Sequence, residues 1–323
     1  MLLTVKNLSI SFETDNGTFQ AVRNLSFQLD KNKILGVVGE SGCGKSITNL
    51  ALMGLLPPEA IVTADELTFD GLNLLELSEK KWSVVRGKKI GMIFQDPMTA
   101  LNPCFTVRYQ LEEAIRYNHI GIPSDQVYPM ALDLLSMVGI PDPKSRIECY
   151  PYELSGGMAQ RIMIAMAISG HPKLLIADEP TTALDVTIQL QILKLLKEIQ
   201  EKNNMSIIFV SHDLNVISKI SDKIQVMYAG EIIESGSKTK IINEHKHPYT
   251  KGLLESLPGH KKSTEKLFSI PGIVPDLKNR PTGCQFSPRC EYSTSDCESN
   301  KTIEINDHDG QQWRCLNPIS RQN

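Results

Sequence analysis

No apolar run in the 323-residue chain approaches the ~18 residues a membrane-spanning helix needs. The longest pieces are of the size of "IMIAMAI", residues 162–168. The opening stretch, "MLLTVKNLSISFETD", has one lysine and no long apolar core, so no secretory leader is expected in it. An excess of positive charge is also missing. Lys and Arg number 34 against 37 Asp and Glu, a net charge of −3, which leaves no global basic field for nucleic acid. Internal repeats and low-complexity tracts are absent. Cysteine is scarce, with seven in all, yet Cys284, Cys290, Cys297 and Cys315 fall within the last 40 residues. With no leader or span, a cytosolic placement is expected, where a disulfide framework is disfavoured and a metal centre comes to mind.

What is present is ordinary for a globular protein: 41% hydrophobic and 22% charged residues, with length for roughly two domains. Residues 2–29 read as β, "LLTVKNLSISF" and "FQAVRNLSFQL" being split by the turn-rich "ETDNGT". "KILGVVG" is a short apolar strand running into a glycine loop, and "KSITNLALMGLL" reads as a helix closed by Pro57-Pro58. "KIGMIFQ" (89–95) ends at Asp96-Pro97. Helices are expected over 106–117, 125–138 and after Gly157, making 98–170 a helical insertion. "KLLIADE" and "SIIFVSHD" resume the strands, bridged by a helix with Ile188, Ile192, Leu195, Leu196 and Ile199 on one face. This alternation implies an α/β fold with a mainly parallel sheet. After residue 257 the chain turns Pro-, Cys-, Ser- and Asn-rich, suggesting domains at 1–257 and 258–323.

"GESGCGKS" (39–46) fits G-x-x-x-x-G-K-[ST] between a strand and a helix, the context that gives the motif meaning. Gly39, Glu40, Ser41, Gly42, Cys43 and Gly44 form a loop whose N–H groups can face phosphate. Lys45 is placed to reach the β/γ-phosphates and Ser46 to ligate Mg²⁺. "LLIADEP" delivers Asp178 and Glu179 at a strand's C-terminal end. Asp178 suits a Mg²⁺-holding acid and Glu179 the base for an attacking water, with helix or turn capping as the plainer alternative. Gln95 can reach Mg²⁺ or that water, or be a polar strand end. His212 is placed to touch a γ-phosphate, or begins a helix.

The discriminating stretch is "LSGGMAQR". Ser155, Gly156 and Gly157 at a helix start make a second anion cradle in one chain. Two copies facing head-to-tail could each offer that turn to the partner's nucleotide.

At these residues the chain resembles the ATP-binding-cassette (ABC) ATPases, over residues 1–257 and through motifs in order: 39–46, Gln95, 154–158, 174–179, "TALD" with Asp185, and His212. The resemblance implies a P-loop ABC fold with an N-terminal antiparallel β part, ATP and Mg²⁺ as cofactors, and roles for Gln95, Asp185 and His212 at the nucleotide. It also suggests that Phe12 stacks on adenine, a core Phe being the alternative. One departure is Met158, where Gln is common, with Gln160 two places later. "FQDPMTALNPCFTV", "ADEPTTALDVTIQ", "HPYT" and "PGIVPDLKNRPTGCQFSPRC" are similar to the ATP-binding subunits of dipeptide and oligopeptide importers, the D-type branch above all, over essentially the whole chain.

That likeness implies an import motor for dipeptides at the cytoplasmic face of the inner membrane. Its partners would be a second homologous ATPase subunit, two transmembrane permease subunits and an extracytoplasmic solute-binding protein, with no nucleic acid. Longer or antimicrobial peptides, haem and nickel are the alternative cargoes, and a soluble ABC ATPase of repair or translation is the non-transport alternative. Cys284-x5-Cys290-x6-Cys297-x17-Cys315 leaves cluster, zinc and unliganded thiols open on spacing alone. The resemblance adds the expectation of a structural [4Fe–4S] cluster on these four residues.

Overall fold

The structure is a computed structural model describing residues 1–15, 17–182, 184–257, 268–276, 280–299 and 303–319. The chain forms two compact units, Met1–Glu76 with Val210–Asn323, and Leu77–Phe209.

The first unit opens on strands Leu3–Thr14 (β1) and Gly17–Leu29 (β2), paired antiparallel. Leu3, Val5, Leu8 and Ile10 are buried. The register shifts between Val5 and Leu8, where Asn7 adopts φ 51°, a bulge that keeps both flanking apolar sets inward. Strand Ile34–Val38 (β3) is buried throughout and leads through the glycine loop into helix Lys45–Leu52 (α1). That helix stops well before Pro57, because Gly54 turns left-handed at φ 61°. Strands Ala60–Thr63 (β4), Glu66–Phe69 (β5) and Leu72–Asn73 (β6) complete an antiparallel sheet on β1.

The second unit holds helix Glu79–Val85 (α2), strand Ile90–Ile93 (β7) and helices Pro97–Ala100 (α3), Val107–Asn118 (α4), Ser124–Met137 (α5), Pro143–Arg146 (α6) and Gly156–Ile168 (α7). Strand Leu174–Asp178 (β8) runs parallel to β7, and helix Val186–Lys202 (α8) follows. Both strands are buried along their length, as parallel strands covered on two faces must be. Leu111 and Ile115 of α4, Ala131 and Leu135 of α5, and Ile162 and Ala165 of α7 make the helical core. On α8 the buried face is Ile192, Leu193, Leu195, Leu196, Ile199 and Gln200.

Strand Ser206–Ser211 (β9) carries the chain back to the first unit. There helix Leu214–Ile220 (α9) precedes strand Lys223–Tyr228 (β10), which is parallel to β3, and strand Glu231–Ser237 (β11), antiparallel to β10. Helices Lys238–Asn243 (α10), Pro248–Glu255 (α11) and Ser295–Glu298 (α12) follow. Strands Asn306–His308 (β12) and Gln311–Trp313 (β13) extend the sheet from β11. Asp309 (φ 52°) and Gly310 (φ 75°) join them, both left-handed as a two-residue hairpin loop requires.

The C-terminal segments are built into this unit by two clusters. Tyr228, Tyr249 and Phe286 pack edge-on, with ring centroids 4.8–5.3 Å apart. Glu234, fully buried, accepts from the N–H groups of Lys246 (2.6 Å) and His247 (3.0 Å) and from Gln311 Nε2 (2.9 Å). Burial raises its carboxyl above the ordinary range, and these donors oppose the rise.

Candidate nucleotide site

In the first unit β3 delivers the glycine loop. Gly44 caps α1 at φ 100°, a conformation closed to most side chains, and a Cβ at Gly39 would run into the Met227 carbonyl oxygen. The buried Lys45 Nζ donates to the carbonyls of Gly39 (2.7 Å) and Glu40 (2.9 Å). Cys43 is buried against it, its thiol raised by that burial. Ser41, Gly42 and Ser46 are exposed at the positive end of α1. A left-handed glycine turn, a helix start and a lysine in one loop fit a phosphate chain. Phe12 is half-buried on β1, opposite Phe19 and Ala60. His212 is exposed after β9, directly before Asp213, which caps α9 by accepting from Asn215 N–H at 2.8 Å.

In the second unit β7 ends at Ile93, leaving Gln95 exposed, and Asp96 caps α3. β8 ends at Asp178, 5% exposed, and Glu179 turns into the left-handed region at φ 48°. Glu179 Oε2 accepts from Gln95 Nε2 at 3.3 Å and from Thr182 Oγ1 at 3.0 Å. A non-glycine residue held at positive φ stores strain that functional sites use to aim a group. Ser155 caps α7, its Oγ accepting from Met158 N–H at 3.3 Å, and Ser155 and Gly156 are exposed while Gly157 is partly so. Gln160 is 1% exposed, so it does not replace the missing Gln of that turn. Asp185 accepts from Ile188 N–H at 2.9 Å and caps α8. Ser46 in the first unit, and Gln95 and Asp178 in the second, each carry an oxygen of the kind a hard cation such as Mg²⁺ takes.

Residues 22–182 match the family model described as "ABC transporter", and residues 233–297 match "Oligopeptide/dipeptide transporter, C-terminal region". The dipeptide transport ATP-binding protein DppD of Escherichia coli (strain K12) is 48% identical over 318 residues, 98% of this chain and 97% of that protein. The oligopeptide transport ATP-binding protein OppD of Bacillus subtilis (strain 168) is 51% identical over 294 residues, 90% of this chain and 82% of that one. The chain belongs to the ABC transporter ATPases. A dimeric, post-hydrolysis structure of the ATP-binding cassette MJ0796 with ADP and phosphate matches the ATPase with TM-score 0.65 and 26% identity, over 73% of this chain and 98% of that one. The family supplies ATPase activity with ATP and Mg²⁺, and among the described residues no helix is long and apolar enough to cross a membrane.

The iron–sulfur expectation is corrected. Cys284, Cys290, Cys297 and Cys315 line one cavity together with His247 and Phe286, with free space of about 10 Å³, the room of one water. Among the described residues, no group of three or more His, Cys, Asp or Glu is arranged to hold a metal ion. Burial pushes the Cys284 thiol up to about 11 and the Cys315 thiol up to about 12. The four cysteines are therefore not assigned a [4Fe–4S] cluster or another metal centre.

Some partners of the site carry no signal in the sequence. Thr182, the hydroxyl that holds Glu179, sits in the "TTALD" stretch and is legible there only as a turn residue. Tyr249 and Arg289 reach the glycine loop from 209 and 249 residues away, with no local signal.

Proposed function

We propose that this ATPase is the motor subunit of an importer that brings dipeptides across the membrane, bound at the cytoplasmic face. It would work with a second homologous ATPase subunit, two transmembrane permease subunits and an extracytoplasmic solute-binding protein. The near full-length likeness to a dipeptide transport ATP-binding protein supports the cargo. Residues 1–257 serve as the cassette and 258–323 as the peptide-transporter part. In the cassette, residues 39–46 bind the phosphates, and Phe12 packs against the base. Mg²⁺, when bound, neutralises phosphate charge; Ser46, Asp178 and Gln95 would hold it. Glu179 takes the proton of the attacking water and Gln95 orients it, while His212 steadies the terminal phosphate. Ser155, Gly156, Gly157 and Asp185 face the partner subunit's nucleotide.

The single observation that carries the hydrolytic reading is Glu179, strained at φ 48° and held by Gln95 and Thr182 rather than left to rotate. For docking on the permease, the exposed Met98, Thr99, Phe105 and Tyr109, the last two stacked at 4.4 Å, offer an apolar contact beside Gln95 in the sequence. Deleting the gene should abolish uptake of labelled dipeptides and leave nickel and haem uptake intact. Unchanged dipeptide uptake with loss of longer peptides would instead assign the oligopeptide class.

A further inference from the structure

Glu40, the second residue of the glycine loop, has every polar group engaged. Its N–H donates to Tyr249 Oη at 3.0 Å, and its carbonyl accepts from Lys45 Nζ at 2.9 Å. Its carboxylate oxygens accept from Arg289 Nη1 at 3.0 and 3.1 Å. Arg289 lies between Cys284 and Cys290 in the C-terminal part, and its side chain is only 5% exposed. It is itself fixed. Its Nε donates to the Pro271 carbonyl at 2.8 Å, its Nη1 donates to Tyr228 Oη at 3.3 Å, and the guanidinium lies 5.7 Å from the Tyr228 ring centre. All these residues belong to the first unit.

A carboxylate inside a loop that binds phosphate is an electrostatic liability, since its charge repels the ligand at close range. A largely buried guanidinium donating to both oxygens offsets that charge and fixes the carboxylate in place. Lys45 Nζ donates to the loop's carbonyls, and it is Arg289 that meets the Glu40 carboxylate. We propose that Arg289 is a positioning residue for nucleotide binding: it neutralises and anchors Glu40, so that the C-terminal part sets the ATP affinity of the glycine loop. Tyr249 of the "HPYT" stretch secures the same residue by its backbone. The proposal rests on residues 39–46 being the phosphate-binding loop.

The test is a double-mutant cycle on the full chain, titrated with fluorescent ATP and ADP analogues at low and at moderate salt, with thermal unfolding recorded for each variant. R289M should weaken ATP binding about tenfold, and ADP binding less, because the third phosphate adds charge at the loop. In an E40Q background the same R289M change should cost less than about threefold, because the charge it left exposed is gone. R289K, which keeps the charge but loses the guanidinium's bond to the Pro271 carbonyl that fixes it, should fall between. Wild-type affinity in R289M overturns the proposal. So does an equal loss in both backgrounds, the mark of a merely structural arginine. If R289M does not fold, the comparison of R289K with E40Q/R289K decides in the same way. K45A separates the underlying reading: if it binds ATP like wild type, the loop assignment fails and the proposal with it, whereas lost binding in K45A beside unchanged binding in R289M sinks the proposal alone.

Discussion

Gln95 Nε2 donates to Glu179 Oε2 at 3.3 Å, joining the segment after β7 to the residue after β8. The two strands are parallel neighbours, Ile93 facing Ala177, so their C-terminal ends bring both side chains to one edge. Thr182 grips the same carboxylate oxygen, and the left-handed backbone at Glu179 fixes where the carboxylate starts. Any movement of the segment after Gln95 is thus felt directly by Glu179.

Glu179→Gln should lower ATP turnover by ~10²–10⁴, the range for loss of a positioned base, while ATP binding stays intact. The isosteric amide keeps the volume and a hydrogen-bond partner for Thr182, so unfolding temperature should hardly move. Turnover near wild type in the assembled transporter would sink the assignment of Glu179 as base.

Ser155→Arg places a large cation at an exposed helix start without touching the core. Hydrolysis should stop at the nucleotide held by the partner subunit's glycine loop. The measurement is single-turnover hydrolysis in a purified complex whose two sites are distinguished by Lys45→Ala in this subunit. Unchanged hydrolysis at the partner subunit's glycine loop in that complex would overturn the head-to-tail reading.

Backbone chemistry makes most of this site legible in the sequence. "GESGCGKS" spells its own geometry in glycines, and "LLIADEP" announces an apolar strand ending in two acids, so residues 39–46, 178 and 179 stand out from the letters alone. What stays hidden depends on side chains from distant parts of the chain. Arg289 gives no sign of its target because an ion pair across 249 residues leaves no periodic trace. The hairpin of β12 and β13 is inconspicuous because its strands are short and polar, although Asp309-Gly310 is there to be read. Cysteine spacing misleads for a related reason: four thiols can line one cavity without the disposition a metal demands.

The permease contact calls for a choice of probe. Leu101 is 2% exposed, so a cysteine there is shielded, while Thr99 is exposed. Thr99→Cys should cross-link to a cytoplasmic loop of the permease in the assembled transporter, and Leu101→Cys should not. Truncating both rings, with Phe105→Ala and Tyr109→Ala, should uncouple transport and leave basal ATPase within about threefold, since neither touches the nucleotide. No cross-link from Thr99 in an active complex would move the contact elsewhere.

His247 should make the fold acid-sensitive. It is buried, caps α11 by accepting from Tyr249 N–H at Nδ1 (3.0 Å), and burial pulls its pKa down to about 3. A base whose folded pKa is depressed below its unfolded value of 6.5 is neutral in the native state and binds protons more readily once unfolded. Its stabilising contribution is therefore complete above pH 6.5 and lost as pH falls from 6.5 towards 3. Between pH 7.5 and pH 5 the loss should be about 2 kcal/mol. His245, lowered by burial too, slopes the same way, while Glu234, raised by burial, loses stability as pH rises. Subtracting a His247→Asn variant, which keeps a capping acceptor but cannot titrate, isolates the histidine. Urea unfolding at about pH 7.5, 6.5, 5.8 and 5.0 should show the wild type losing about 2 kcal/mol more than the variant across that range. Parallel curves for the two proteins would mean that His247 is free to protonate in the native state, and the neutral, buried cap would have to be abandoned.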